Sequence, residues 1–347
     1  MRHPAPQPSS GAPSGLSPGA LARPAVHRRR LLAKGAALAA LAPLAWPVAG
    51  APQRAASLRI MIPANAGGGW DQTGRALGAA LVASGGAEHV EYENVGGKGG
   101  TIGLAQFAER HGSDPDALLI GGMVMVGAVA LQKPAVGMSH VQPLARLTSD
   151  YLVVAVPADS PLRNAADLVA ALRTDLARQS FAGGSAGGVD HMFAGLLTRA
   201  AKAAPEHLVY KPFPGGAQVV EALLKGDARM GVSGYSEFSE ALASGRLRAI
   251  GVSSRRSLFG LPSFREQGLD ADMANWRAVF TGKQVSAARA QALLGAVEQA
   301  TQHDSWQRAL RQNRWEPSWQ AGRDFSGFLE LEHTTASVMT YLLKLKS

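Results

Sequence analysis

The chain has no cysteine among its 347 residues. That excludes disulfide cross-links, cysteine-based metal sites and thiol catalysis. Stability must then rest on a buried core, which a chain of this size can supply. Aromatic residues are scarce at 6%, and charged residues make up only 18%. The 46% of hydrophobic residues is ordinary for a globular chain with room for two domains. No apolar run approaches the length needed to cross a bilayer. Acidic residues are missing from residues 1–50, which hold Arg2, Arg23, Arg28, Arg29, Arg30 and Lys34. Removing those six from the formal charge of +9 leaves +3 on the remainder. No basic stripe survives, so the footprint of nucleic-acid binding is absent.

The basic N-terminus reads as a targeting segment. His27-Arg28-Arg29-Arg30-Leu31-Leu32-Ala33-Lys34 runs into a short apolar stretch, residues 35–45, and then into small residues, the pattern of an export signal. The adjacent Arg28 and Arg29 favour the twin-arginine route, and a Sec signal with extra arginines is the alternative. Residues 1–50 are expected to be removed by cleavage near Gly50.

What the chain has in quantity is glycine, 40 residues in all. Three groups stand just before predicted helices. They read Pro63-Ala64-Asn65-Ala66-Gly67-Gly68-Gly69-Trp70-Asp71, Asn94-Val95-Gly96-Gly97-Lys98-Gly99-Gly100-Thr101 and Gly183-Gly184-Ser185-Ala186-Gly187-Gly188-Val189-Asp190-His191. Glycine lets a ligand approach the backbone closely. A helix N-terminus adds free N–H groups and about half a positive charge. Together they make a site for carboxylate or phosphate without a dedicated Arg or Lys. Three such turns imply a ligand with more than one anionic end.

Short β-rich runs alternate with helical periods around these turns. Strands are expected at residues 57–63, 90–94, 118–121, 151–157, 179–182, 209–213, 230–233 and 247–253. Helices are expected at 71–84, 101–110, 217–225, 236–244, 286–302 and 322–344. Asn164 is placed to cap a further helix carrying Leu168, Leu172 and Leu176. Met192, Phe193, Leu196, Leu197 and Ala200 make the apolar face of another. The alternation predicts an α/β fold with parallel sheets. Crossovers at 151–157 and 278–283 divide it into two lobes, residues 57–153 plus 280–347 and residues 154–279. Beyond the second crossover the chain is expected to be wholly helical. Ligands of open α/β sheets sit beyond the carboxyl ends of the strands, where all three turns fall.

The turns do not fit nucleotide fingerprints. Gly67-Gly68-Gly69 lacks Gly-x-Gly-x-x-Gly spacing, and the second turn lacks the Gly-Lys-Ser/Thr order. Ser185, Asp190 and His191 invite a hydrolase reading. Adjacent Asp and His, however, do not readily place the carboxylate behind the imidazole of the same pair, and no Gly-x-Ser-x-Gly elbow is present. No catalytic residue is assigned. The nine histidines show no paired spacing, so no metal and no cofactor is expected. Asp71 reads first as a helix cap, because a carboxylate beside an anion site repels ligand unless it points away. Trp70 serves equally as cleft wall or core. His191 is assigned to orienting its loop or donating to a ligand. Two further strand-to-helix turns carry Phe213, Gly215 and Gly216, and Ser233 with Ser236. The expected ligand-binding set is Ala66, Gly67, Gly68, Trp70, Asp71, Gly100, Thr101, Gly184, Ser185, Gly187, Gly188, His191, Phe213, Gly215, Gly216, Ser233 and Ser236.

In these segments, and over nearly all of the chain beyond residue 50, the sequence resembles the periplasmic receptors of tripartite tricarboxylate transporters, the Bug/TctC type. Pro63 followed by Gly67-Gly68-Gly69-Trp70-Asp71 resembles the first loop of that family. Asn94 to Gly103 resembles its Asn-x-x-Gly-x-Gly-Gly-x-x-Gly segment, and Gly184 to His191 its Ser-x-Gly-x-x-His loop. Residues 210–216 and 243–252 match as well. Asn275-Trp276-Arg277 and residues 261–268 resemble the tricarboxylate branch more than the amino-acid binders. Asn65 departs from the pattern, standing where many members carry Pro.

The resemblance implies an α/β, two-lobed periplasmic binding protein fold with a two-segment hinge that closes on a carboxylated ligand. One carboxylate would be held by backbone amides and ordered waters between the first loop and the second-lobe loop. The implied function is non-catalytic: a periplasmic monomer captures a small di- or tricarboxylate, citrate first, and delivers it to a two-component membrane permease. A receptor that presents its ligand to a sensor kinase is the alternative. A periplasmic hydrolase using Ser185 and His191 is a third.

Overall fold

The structure, a computed structural model, describes residues 55–345. The expected export signal and its cleavage point near Gly50 lie outside the described residues. Strand β1 (Ala55–Ile62) has Ile60, Met61 and Ile62 fully buried, as a strand covered on both faces should. It pairs in parallel with β2 (Ala87–Asn94) and β3 (Ala117–Gly122). The connections are α1 (Gly69–Ala83) and α2 (Thr101–His111). Helix α3 (Met123–Gln132) follows β3 without a loop. Its sequence, MVMVGAVALQ, is apolar nearly all round and buried along most of its length, so it has no amphipathic period to reveal it.

The long strand β4 (Val141–Pro157) belongs to two parts of the sheet. Up to Tyr151 it pairs antiparallel with β9 (Ala274–Gly282). From Leu152 onward it pairs with β7 (Met230–Gly234) and β8 (Leu247–Val252). In this second part β5 (Ser180–Gly183) lies between β6 (Val209–Pro212) and β7, parallel to both. Helices α4 (Ala165–Thr174), α5 (Val189–Ala200), α6 (Gly216–Leu224) and α7 (Tyr235–Ala243) cover it. Asn164 caps α4, its side chain accepting from the Asp167 amide at 3.0 Å. Leu168 and Leu172 are buried, whereas Leu176 falls in the turn beyond the helix. The chain ends with α8 (Ala287–Gln302), α9 (Asp304–Asn313), β10 (Glu316–Ala321) and α10 (Gly322–Leu342).

Three expectations are corrected. The sheet is mixed, not parallel: β9 opposes β3 and β4, and β4 opposes β7, β8 and β10. A strand that runs through both parts must be met by returning strands of the opposite sense. Residues 278–283 are no crossover either. The whole of β9 pairs with strands of the first part, so the second passage lies between Val252 and Ala274. The apolar run there marks a central buried strand. Finally, the region after β9 is not wholly helical, because β10 pairs with β4. Its sequence EPSWQA, with a proline and a register shift, carries little of the alternation that announces a strand.

One apolar core runs through both parts, from Ile60 and Phe280 to Leu152 and Phe181. A second, smaller one around Val219, Leu223 and Phe238 lies under α6 and α7. The parts also meet away from the sheet. A Cβ on Gly127 of α3 would fall on the Gly187 carbonyl, and a Cβ on Gly195 of α5 would lie 3.0 Å from Leu343, just past α10.

Candidate functional site

Each glycine turn does follow a strand and open a helix. In the first, Gly67 N–H donates to Asp71 Oδ2 at 2.9 Å, while Asp71 Oδ1 accepts from Arg75 Nε and Asn94 Nδ2, both at 2.9 Å. Burial pushes the Asp71 carboxyl up, but the bonds from Arg75, Gly67 and Asn94 outweigh it and the net shift is downward. This carboxylate braces the loop and faces its own chain. Ala66 and Gly67 are exposed, and Gly68 is half-buried. Trp70 is 8% exposed, and a Cβ on Gly100 would stand 2.6 Å from its ring, so it packs between the first two turns.

In the second turn Gly99 and Gly100 adopt positive φ of 67° and 90°. Thr101 Oγ1 bonds to the Lys98 carbonyl at 3.1 Å and to Gln132 Oε1 at 3.2 Å, which fastens the turn to the end of α3. A Cβ on Gly99 would meet Ala128 at 2.6 Å and Ser185 at 3.5 Å. The second and third turns therefore face each other closely.

In the third turn Asp190 Oδ2 accepts from Gly184 N–H at 2.7 Å. Tyr210 donates its hydroxyl to the Gly184 carbonyl at 2.8 Å, and Gly188 N–H bonds back to Ser185 O at 2.9 Å. His191 Nδ1 accepts from Gly187 N–H at 3.1 Å, and its ring stacks on Tyr210 at 4.1 Å. Desolvation pushes His191 down to about 4, so it is neutral at pH 7 and orients the loop. Asp190 turns to a backbone amide rather than to His191. Among the described residues no hydrogen bond links Ser185 to His191, so the parts of a hydrolytic triad are not assembled.

The remaining predicted residues lie at the β6–α6 and β7–α7 junctions. Phe213 N–H donates to the Gly183 carbonyl at 2.8 Å, and its half-buried ring joins the smaller core. Gly215 caps α6. Ser233 Oγ donates to Glu237, whose side chain lies where a Cβ on Gly216 would be. Ser236 Oγ is buried without a partner. Desolvation raises Asp190 to about 7, with Glu237 adding to the rise and the Gly184 bond opposing it.

Sequence reasoning missed one residue at the centre of this region. Arg277, from β9, pairs with Asp150 of β4 at 3.0 Å and donates to Thr73 Oγ1 at 3.2 Å. Its guanidinium lies 2.7 Å from where a Cβ on Gly69 would be. A buried cation thus stands under the first turn of α1, contributed by a strand far away in sequence. The signal available was a charged residue inside the apolar run of β9. Desolvation pushes Asp150 up to about 6, with Arg277 pulling it down and Glu237 pushing it further up.

Chemically, the turns offer donors without a competing task. Among the described residues Gly68, Gly69 and Trp70 on one side, and Ser185 and Ala186 on the other, show no protein acceptor for their N–H groups. Such amides, in the turns that open α1 and α5, suit a carboxylate. No cluster of three or more His, Asp or Glu able to hold a metal occurs among the described residues.

Residues 80–337 match the family model described as tripartite tricarboxylate transporter family receptor. The chain belongs to this family. A relative in Pseudomonas sp. (strain P51), a UPF0065 protein from the tcbD-tcbE intergenic region, is 28% identical over 230 residues, which is 64% of this chain and 67% of the relative. Among solved structures, periplasmic binding protein BugD superposes with a TM-score of 0.74 at 19% identity, covering 85% of this chain and 99% of BugD. MatC from Rhodopseudomonas palustris with bound malate gives 0.71 at 20% identity, covering 83% and 99%. At these identities the likeness establishes the two-lobed periplasmic binding protein fold, and the family match establishes a receptor of the tripartite tricarboxylate transporter type.

Proposed function

We propose that this chain is a periplasmic, non-catalytic receptor that captures a small di- or tricarboxylate and hands it, as a monomer, to the two-component membrane permease of a tripartite tricarboxylate transporter. The observation that carries this reading is that the first and third glycine turns each present N–H groups lacking protein acceptors. One carboxylate is held between residues 66–71 and 184–191. Arg277, beneath Gly69, adds positive charge behind the first turn. The two parts of the sheet, residues 55–151 with 274–345 and residues 152–273, act as lobes. They close about the two chain passages, at 151–152 and between Val252 and Ala274, because closure brings both turns onto one anion and excludes water. The malate bound by MatC makes a four-carbon dicarboxylate as good a first candidate as citrate. Export through residues 1–50 places the receptor outside the cytoplasm.

Calorimetric titration of the purified chain with malate, citrate and adipate tests the reading. At least one should bind with a stoichiometry of one and shrink the radius of gyration in solution scattering, since a ligand that touches both lobes favours the closed state. Failure of all three, together with no carboxylate released on denaturing the protein, overturns it.

A further inference from the structure

On the side of α3 and α5 away from the glycine turns lies a cavity of about 520 Å3, a size typical of small-molecule sites. It is separate from those turns. Its two α5 residues, Leu196 and Arg199, stand seven and ten positions beyond Val189, about 10–15 Å along the helix at 1.5 Å per residue. Along β9 successive side chains face opposite ways. Arg277 points toward α1, and Trp276 points toward α10, into this cavity.

Helix α10 is fixed against the sheet by specific posts. Trp276 Nε1 donates to Glu332 Oε2 at 2.7 Å, and the Phe328 ring meets Trp276 edge-on at 5.4 Å. The Arg146 guanidinium lies over Phe328 at 4.5 Å. Between the posts the walls are Met123, Leu196, Met273, Met339 and Leu343. Methionine is unbranched and adapts its shape to an occupant.

The charges of the cavity are unevenly matched. Arg255 is paired with Asp272 at 3.0 Å. Arg146 and Arg199 form no salt bridge among the described residues. Arg146 donates from Nη2 to Ser149 at 2.6 Å, but its Nε is buried without an acceptor. An arginine stays charged even when desolvated, so the guanidinium as a whole, which lines the cavity, calls for an anion. Burial pushes the Glu332 carboxyl above its usual range, against the pull of Trp276 and Arg146. It therefore opposes an incoming carboxylate less than an exposed glutamate would.

We propose that this cavity is a second binding site, for a medium-chain or aromatic monocarboxylate. The apolar body lies on the methionine and leucine wall, and the carboxylate meets Arg146, with Arg199 at the mouth. The chemistry differs from that of the glycine turns, which offer backbone amides to a small polar anion.

Octanoate is the probe and octanol its neutral counterpart. By calorimetry octanoate should bind with a stoichiometry of one and octanol at least tenfold more weakly. Met339→Trp and, from the opposite wall, Leu196→Trp should each abolish octanoate binding while melting stays cooperative. Arg146→Met should weaken it tenfold or more. No saturable binding of octanoate, or equal binding of octanol, overturns the proposal, and neither outcome depends on a variant folding. Unchanged octanoate affinity in a folded tryptophan variant also overturns it, by placing the ligand elsewhere.

Discussion

Arg277 and Asp150 form an ion pair of 3.0 Å with only 3% and 1% of their side chains exposed. Asp150 stands opposite Asn275, one register pair before β4 leaves β9 for β7 and β8. The same guanidinium lies under Gly69 and stacks over Trp315 at 4.7 Å. One buried cation thereby links the first glycine turn to the point where the chain passes between the two parts of the sheet. Taking such a pair out of water is costly, and removing one partner costs more than the pair contributes.

Arg277→Met should therefore destabilise the protein by about 3–5 kcal/mol, because Asp150 is left buried and unpaired. Adding Asp150→Asn should recover part of that loss. Urea denaturation of both variants checks it. A loss below about 1 kcal/mol in the single variant, as for an exposed pair, would mean that the pair is idle.

The glycines of the first and third turns should respond differently to alanine. Gly187 has φ of 78°, and a Cβ there would stand 2.8 Å from Leu131 Cβ. Gly68 is extended at φ of −81°, and the nearest atom to its Cβ would be 3.8 Å away. Gly187→Ala should cost roughly 1–2 kcal/mol from the left-handed backbone alone, whereas Gly68→Ala should stay within about 0.5 kcal/mol. Melting temperatures decide this, and equal losses would contradict the assigned geometry.

Stability should depend on pH through Asp190 and His191 in opposite senses. Asp190 rises from 3.8 to about 7 on folding. Its contribution is full below pH 3.8 and is lost as pH rises through 7. His191 falls from 6.5 to about 4, so its contribution is present above pH 6.5 and is lost as pH falls through 4. Asp190→Asn keeps an acceptor for Gly184 N–H and removes the first effect. The variant should gain on the wild type between pH 4.5 and 7.5, measured by urea titration at both. A constant difference would mean that Asp190 titrates normally.

Much of this was legible in the residues. Strand-to-helix glycine turns, the Asn164 cap and most elements follow from local chemistry, because φ preferences and apolar periods act over a few residues. The partners of β9 do not. An apolar run such as Ala278-Val279-Phe280 says that it is buried, not which strands flank it, and so the second passage between the parts was misplaced. Helix α3 hides for the same reason, being apolar on every side. In the site, Asp71 could be read as a first-turn carboxylate from its position alone, although the cap itself is Gly68. Arg277 could not be placed under Gly69, because more than 200 residues separate them and only the sheet brings them together.

The central claim is that a carboxylate is held by backbone amides of the first and third turns. Amide chemical shifts of isotope-labelled protein, followed while malate or citrate is titrated to saturation, test it most directly. The account predicts that Gly68, Gly69, Trp70, Ser185 and Ala186 show the largest shifts and lose exchange with water together. A ligand that saturates the protein in calorimetry while these five amides stay unmoved would contradict it.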